Sequence, residues 1–479
     1  MKNGKRSSFS GKLGYVLAAA GASVGLGNIW RFPYLAAKYG GGIFLLIYIL
    51  LALTFGYTMI MAETALGRMT HKSPVSAYGS FAMIVAETAI GRMTRKSPVG
   101  AFKSFGKKKW LSFGGWINAV IPVLIVPYYS VIGGWVIKYL VEYFRGNAKL
   151  LAEDGYFTDF ISNGVSTELC FVAFCAFTLI IIFAGVQNGI ERVSKIMMPI
   201  LIVLSVIIAV YSVTRPGALE GVKYFLVPNV KNFSWMTVVA AMGQMFYSLS
   251  IAMGILITFG SYMKKDTAIE DSTRNVEIFD TGIAIMAGLM IIPAVFAFSG
   301  GDPDTLQAGP SLMFITIPKV FQNMGFGTVI GIVFFVLVLF AAVTSSIALT
   351  ESAVSTFEDE LGWGRKKATV LVGVIMLALG SLSSLGYGPL AGIKIIGMQF
   401  LDLFDFLTNS VMMPIAALLT SLLVSRVVGI DKIEEEIIHG ESAFRRKKVF
   451  VVMIKYLCPV FAIIILLSSV ANALGWIKM

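Results

Sequence analysis

The sequence predicts an all-α protein that crosses a membrane many times, and three observations carry that prediction. Apolar residues make up 57% of the 479-residue chain and charged residues only 14%, with a mean hydropathy of +0.80. A soluble enzyme built on one core does not have that balance. Eleven apolar runs are long enough to span a bilayer, which takes about 20 residues each. Loops rich in Lys and Arg alternate with less basic ones, as the positive-inside rule requires. The net charge of +12 follows from those loops, so no nucleic-acid partner is expected; the partner is the lipid bilayer.

The runs lie at 13–37, 42–67, 114–144, 169–185, 193–213, 236–262, 278–299, 327–357, 367–385, 399–427 and 449–475. Basic loops at 1–12, 68–110, 191–195, 264–274, 362–367 and 426–448 are expected to face the cytoplasm, opposite those at 145–168, 214–235, 300–326 and 386–398. The expected location is the plasma membrane, with the N-terminus inside and Met479 outside. No cleavable signal is expected, because the first run is too long and lacks a small-residue cleavage pattern. Cys170, Cys175 and Cys458 lie in apolar sequence without CxxC spacing, which supports neither a disulfide framework nor a zinc site. The two histidines, His71 and His439, sit in charged loop sequence.

The first run is badly made for a continuous helix. It carries Gly14, Gly21, Gly25 and Gly27, with Gly11 just ahead, and then Asn28, Arg31 and Pro33. Glycine lowers helix propensity and proline removes a helical hydrogen bond. Broken backbone at membrane depth survives only inside protein or against a watery cavity. A discontinuous helix whose exposed peptide groups bind a ligand is therefore expected at 21–33. The sixth run breaks its pattern in the same way at Phe246-Tyr-Ser-Leu-Ser-Ile-Ala-Met-Gly254. Interruptions in runs one and six suggest two five-helix halves, 13–213 and 236–427, each opening with a broken helix. The run at 449–475 is then an extra, eleventh helix of one transporter domain.

A different repeat lies at the end of the second run. Residues 58–81 and 82–105 are adjacent and identical at 17 of 24 positions, each with Ala-Glu-Thr-Ala, Gly-Arg-Met-Thr and Lys-Ser-Pro-Val. A period seen twice is no solenoid. The first copy is expected to complete the membrane helix, since the apolar run leads into it without a gap, and the second to be an inserted cytoplasmic segment.

The polar residues within the runs that stand out as candidates for a site are Asn28, Arg31, Glu63, Ser248, Ser250, Asp280, Thr344, Ser345 and Asp405. None combines a nucleophile with a base and an orienting group, so no enzyme is expected. What they offer is hard oxygen, which suits a small cation such as sodium. Unwound backbone near Gly21 supplies carbonyls, Thr344 and Ser345 supply hydroxyls, and Asp280 supplies full negative charge. A carboxylate inside a span is costly unless it is paired.

These motifs identify the chain by resemblance. The stretch 21–33, Ala-Glu-Thr-Ala-Leu-Gly-Arg68, Tyr128-Tyr129, Gly243-Gln-Met-Phe-Tyr-Ser-Leu-Ser250, Ala341-Ala-Val-Thr-Ser-Ser346 with Phe357-Glu-Asp-Glu-Leu361, and Asp402-Leu-Phe-Asp405 occur in order on successive runs. Together they resemble the neurotransmitter:sodium symporter family, particularly the bacterial amino-acid transporters related to the bacterial leucine transporter, along almost the full length. The resemblance implies two inverted five-helix repeats, here with an eleventh helix, and sodium-coupled import of an amino acid by alternating access. It implies two Na+ sites. One uses Ser23, Asn28, Ser248 and Asp280; the other uses Gly21, Val24, Ala341, Thr344 and Ser345.

Two departures from the family's pattern bear on the first site. Asp280 stands where the family often has Asn, and Ala284 stands where chloride-dependent members have Ser. A fixed carboxylate does the electrostatic work of chloride, so no chloride requirement is expected. By the same resemblance the substrate contacts are Ala22, Ser23, Gly25, Gly27, Ile125, Tyr129, Tyr247, Ser248, Ser250, Met253, Ser345 and Leu349. N–H groups at Gly25 and Gly27, at a half-helix N-terminus, favour a carboxylate. Gly25 replaces the acid of amine transporters, so the cargo is expected to bring its own carboxylate. With no charge in the pocket, a neutral and mainly hydrophobic L-amino acid fits.

Arg31 and Asp405 are expected to form the outer gate, with Tyr129 and Tyr247 as a lid. Arg6 and Asp359, assisted by Phe9, Ser261 and Tyr262, are expected to form the inner gate. Gly189 and Pro199 match a Gly-x9-Pro pattern that implies unwinding of the fifth helix. Glu63 is expected to brace the break in the sixth helix, without an equivalent role for its duplicate Glu87. The alternative is an amino-acid sensor on the same fold, transport-impaired because the duplicated segment lies beside the inner gate. An ion channel is disfavoured, since no charged ring or filter-like repeat is visible.

Overall fold

The computed structural model describes residues 8–78, 109–299, 309–438 and 443–473, and within them every apolar run of the sequence forms one helix or a broken pair. The first run forms two helices, α1 (Lys12–Ser23) and α2 (Gly27–Lys38), bent by 54° at a short break. There follow α3 (Gly42–Thr70), α4 (Lys109–Phe144), α5 (Gly164–Phe183) and α6 (Val186–Val213). The sixth run is also divided, into α7 (Trp235–Ser248) and α8 (Ile255–Ser261). The remainder are α9 (Ile269–Ser299), α10 (Gly327–Leu361), α11 (Arg365–Leu385), α12 (Phe400–Val428) and α13 (Lys447–Asn472). Among the described residues nine helices are individually long and apolar enough to cross a bilayer, and the bent α1–α2 pair makes ten. The two pieces α7 and α8, separated by residues 249–254, account for the run at 236–262.

Backbone chemistry explains where the two broken helices stop. After Ser23 the chain turns extended at Val24, with φ −76° and ψ 91°, and glycine follows at once. After Ser248 the backbone takes left-handed values at Ser250 (φ 52°), Ala252 (φ 61°) and Gly254 (φ 70°). Such values at non-glycine residues persist only where surrounding contacts enforce them, as happens at binding sites. Helix α9 begins at Ile269, earlier than the expected 278, so Asp280 lies well inside it.

Packing puts both breaks at the centre. The α1 helix lies against α6, α9 and α10, α8 against α3 and α10, and α4 against α10, α5 and α11. By contrast α13 is peripheral, leaning on α12 and α7, with Val460, Ile463 and Leu467 turned outward as lipid-facing side chains are. The first copy of the duplicated segment forms the end of α3. Its Arg68 is fully buried, with Nε donating to Glu436 Oε1 at 2.5 Å and Nη1 to the Thr267 carbonyl at 2.5 Å. The second copy, with Glu87, lies outside the described residues, as do Arg6 and His439.

Candidate functional site

The two breaks face one another across a small pocket that α4 and α10 also wall. All twelve residues expected to contact substrate line it: Ala22, Ser23, Gly25, Gly27, Ile125, Tyr129, Tyr247, Ser248, Ser250, Met253, Ser345 and Leu349. Leu26 and Asn28 complete the wall. No ionisable carboxylate or basic side chain is among them. Ser250 ties the breaks together, its Oγ donating to the Ala22 carbonyl at 3.0 Å. Glu63, buried on α3, accepts from the Ala252 N–H at 2.7 Å and so holds the strained stretch of the sixth span.

The N–H groups at the break are distributed differently from the expected pair at Gly25 and Gly27. The Gly25 N–H donates to Asn28 Oδ1 at 3.2 Å, and the Leu26 N–H to the Tyr129 hydroxyl at 3.3 Å. Leu26 was invisible to sequence reasoning because only its backbone takes part. The glycines have steric duties as well. A Cβ on Gly25 would lie 2.7 Å from Ser345 Oγ and 3.1 Å from the Tyr129 hydroxyl, and one on Gly27 would overlap the Tyr247 ring.

On one side of the pocket Asp280 is completely buried. Its Oδ1 accepts from Asn28 Nδ2 at 2.8 Å and from Ser248 Oγ at 2.8 Å. Its Oδ2 accepts from the Tyr48 hydroxyl at 3.0 Å. Every one of these donors is neutral, and no salt bridge reaches Asp280 among the described residues. A buried charge of this kind calls for a cation. Ser23 stands apart from this cluster, its hydroxyl returning to the Ala19 carbonyl at 3.2 Å. Tyr48 was missed, although a phenol in an otherwise apolar run was the available signal: a buried Tyr hydroxyl needs a partner.

A second oxygen cluster lies on the α1 and α10 side. Ser345 Oγ is 3.2 Å from the carbonyl oxygens of Gly21 and Ala22 and 3.4 Å from that of Val24. Thr344 Oγ1 meets the carbonyl of Ala341 at 3.2 Å, and Gly21 packs directly on Thr344. Carbonyls and hydroxyls without a carboxylate make a hard, neutral ligand set that suits a monovalent cation.

Towards α2 the pocket is covered by aromatic rings. The Arg31 guanidinium lies 5.2 Å from the centroid of the Tyr247 ring, a cation–π distance. Asp405 accepts from the Tyr128 hydroxyl at 3.2 Å and from Asn409 Nδ2 at 2.5 Å. Among the described residues Arg31 and Asp405 make no direct ion pair.

Towards the chain's first described residues the closure is tighter. The Phe9 N–H donates to the Tyr262 carbonyl at 3.0 Å, and the Phe9 ring meets Phe259, Tyr15 and Tyr262 edge-on. The Tyr262 hydroxyl donates to Glu351 at 2.8 Å, and Arg365 grips that carboxylate with two nitrogens, at 3.0 and 2.6 Å, while also donating to the Ile182 carbonyl. Glu351 and Arg365 were not singled out from sequence, where each reads as an ordinary helix-end charge. Asp359 accepts from the Ser73 N–H at 2.5 Å, and the Ser261 hydroxyl returns to the Thr258 carbonyl. Gly189 sits in a π-helical turn, Val186–Glu191, and Pro199 within the helix that continues it, so the segment between them is wound.

Comparison with known proteins agrees with this architecture. A profile of the sodium:neurotransmitter symporter family matches residues 6–86 and 157–476. The chain is 33% identical to YhdH, an uncharacterized sodium-dependent transporter of Bacillus subtilis, over 98% of this chain and 99% of that one. It is 25% identical to human sodium- and chloride-dependent GABA transporter 2, over 90% of this chain and 75% of the other. The crystal structure of MhsT in complex with L-phenylalanine superposes with a TM-score of 0.81 at 33% identity, covering 97% of this chain and all (100%) of MhsT. On the family profile and these full-length likenesses, the chain belongs to the sodium:neurotransmitter symporter family.

Proposed function

We propose that this chain imports neutral, mainly hydrophobic L-amino acids across the plasma membrane, driven by sodium and without a requirement for chloride. The observation that carries the reading is Asp280, a fully buried carboxylate held only by neutral donors and lying behind the pocket-lining Asn28 and Ser248. One sodium binds there with Asn28 and Ser248, joined by Ser23 after a rotamer change. A second binds among the carbonyls of Gly21, Val24 and Ala341 and the hydroxyls of Thr344 and Ser345. The substrate's carboxylate lies against the α2 N-terminus near Leu26 and Tyr129, where the half-helix dipole favours it. Its side chain fills the space between Ile125, Met253 and Leu349, which are apolar, and Met253 adapts to different shapes.

Charge balance supports chloride independence. Asp280 supplies a fixed negative charge beside the first sodium, and Ala284, one turn further on and fully buried, has a methyl side chain with no hydroxyl to donate to a halide. The two five-helix halves, each opening on a broken helix, rock about the pocket as inverted repeats. The N-terminus is cytoplasmic, so the Phe9–Tyr262–Glu351 closure is the inner gate and Arg31 with Asp405 the outer one. Inward movement of each sodium charge through 100 mV contributes about 2.3 kcal/mol.

Uptake of labelled L-phenylalanine by proteoliposomes tests the whole reading. Accumulation is expected with an inward sodium gradient, lost when choline replaces sodium, and unchanged when gluconate replaces chloride. Sodium-dependent binding without accumulation would favour a sensor over an importer.

A further inference from the structure

A polar stripe on α9 leads away from Asp280 and belongs to neither oxygen cluster. Thr273, Glu277 and Thr281 recur at intervals of four, which stacks them on one helix face. Thr273 Oγ1, Glu277 Oε1 and Thr281 Oγ1 are each buried without a hydrogen-bond partner among the described residues. Elsewhere in this protein Thr58, Thr344, Thr350, Thr408 and Thr420 return their hydroxyls to the carbonyl four residues back, the usual arrangement in a membrane helix. Glu277 is only 2% exposed, so its open oxygen has no bulk water to replace the missing partner.

The cytoplasmic end of the stripe is closed by the loop that precedes α13. Arg446 Nη1 lies 3.4 Å from the second oxygen of Glu277, and its guanidinium lies 4.7 Å from the Tyr57 ring centroid. The N–H groups of Arg445 and Arg446 donate to Glu270 at 2.8 and 3.1 Å, fastening the loop to the first turn of α9. Beside this contact is a cavity of about 60 Å³, bounded by Tyr57, Glu270, Asp271, Arg274, Arg445 and Arg446.

We propose that this stripe is the cytoplasmic exit for the sodium held at Asp280, with Glu277 as a transient station and Arg446 as its plug. The proposal rests on the assignment of sodium to Asp280. A departing cation must keep oxygen ligands or water along its whole path, because a bare ion in an apolar interior is prohibitively costly. Glu277 precedes Asp280 by three residues, about 4.5 Å along the helix axis, and Thr273 continues the line to the cavity, where the carboxylates of Glu270 and Asp271 stand beside Arg274, Arg445 and Arg446. Arg446 competes with the cation for the Glu277 carboxylate, so release requires the loop to lift. That ties the exit to α13, the helix outside the two five-helix halves.

Net uptake and exchange separate sodium release from everything else. Sodium-driven uptake of L-phenylalanine into proteoliposomes requires sodium to leave inside, whereas exchange of labelled for unlabelled L-phenylalanine with saturating sodium on both sides does not. In the full-length chain, Glu277→Gln is expected to lower net uptake by about tenfold and to leave exchange and sodium-dependent binding within about twofold of the parent. Thr273→Val, which keeps the volume and removes the hydroxyl, is expected to lower net uptake by about threefold with the same sparing of exchange, and it carries the test if Glu277→Gln does not accumulate. Uptake and exchange falling together, or neither changing, overturns the proposal. A parent chain whose binding ignores sodium would overturn the sodium assignment itself and this route with it, and that result is recognisable before any variant is made.

Discussion

The Tyr48 hydroxyl donates to Oδ2 of Asp280 at 3.0 Å and reaches Ser248 Oγ at 3.2 Å. This phenol aims the carboxylate held by the pocket-lining Asn28 and Ser248, in the way outer partners orient metal-binding carboxylates. Tyr48→Phe is expected to weaken sodium affinity by about tenfold while substrate affinity at saturating sodium stays near that of the parent. Titration of L-phenylalanine binding against sodium reads both quantities.

Removing the charge itself has a larger effect. Asp280→Asn is expected to raise the sodium concentration needed for half-maximal binding by more than about tenfold. If the carboxylate replaces chloride electrostatically, pairing that change with Ala284→Ser makes chloride stimulate uptake. Uptake in chloride against gluconate, for the double variant and for the parent, checks it.

Gly27 is held to its identity by the Tyr247 ring, which a Cβ would overlap. Gly27→Ala is expected to displace the ring and the Arg31 guanidinium stacked on it, at a cost of about 1–3 kcal/mol for overpacking. Loss of uptake with a lowered melting temperature in detergent is the expected result, and uptake at the parent rate would contradict it.

The inner closure depends on a buried ion pair. Arg365 and Glu351 meet at 2.6 Å with the carboxylate fully buried, so removing one partner leaves an uncompensated charge that costs about 3–5 kcal/mol. Glu351→Gln and Arg365→Met are each expected to destabilise the protein strongly, and the double variant less than the sum of the two. Thermal unfolding of the singles and the double gives the coupling directly.

How much of this was legible in the sequence differs by level. The eleven apolar runs and both interruptions were legible because hydropathy and glycine, proline or serine content are local properties. The pocket wall was legible only through resemblance, since residues as distant as Ile125 and Leu349 share no local signal. Carbonyls and N–H groups at the break were expected from its glycines, but which residue supplies each stayed hidden: the Leu26 N–H serves the site through an atom that nearly every residue carries. Tyr48 and the Glu351–Arg365 pair were obscured differently, because a tyrosine in a span and charges near a helix end each have an ordinary explanation. Helix starts were the weakest point, as α9 begins with the charged turn Ile269-Glu-Asp that composition assigned to a loop.

Reciprocal coupling between sodium and amino acid at Asp280 is the centre of this account, and linkage makes it measurable in one equilibrium experiment. The dissociation constant of L-phenylalanine, determined on purified full-length protein in sodium and in choline, is predicted to fall by more than about tenfold in sodium and to lose that dependence in Asp280→Asn. Equal affinity in the two salts, or a sodium effect that survives in Asp280→Asn undiminished, would contradict it.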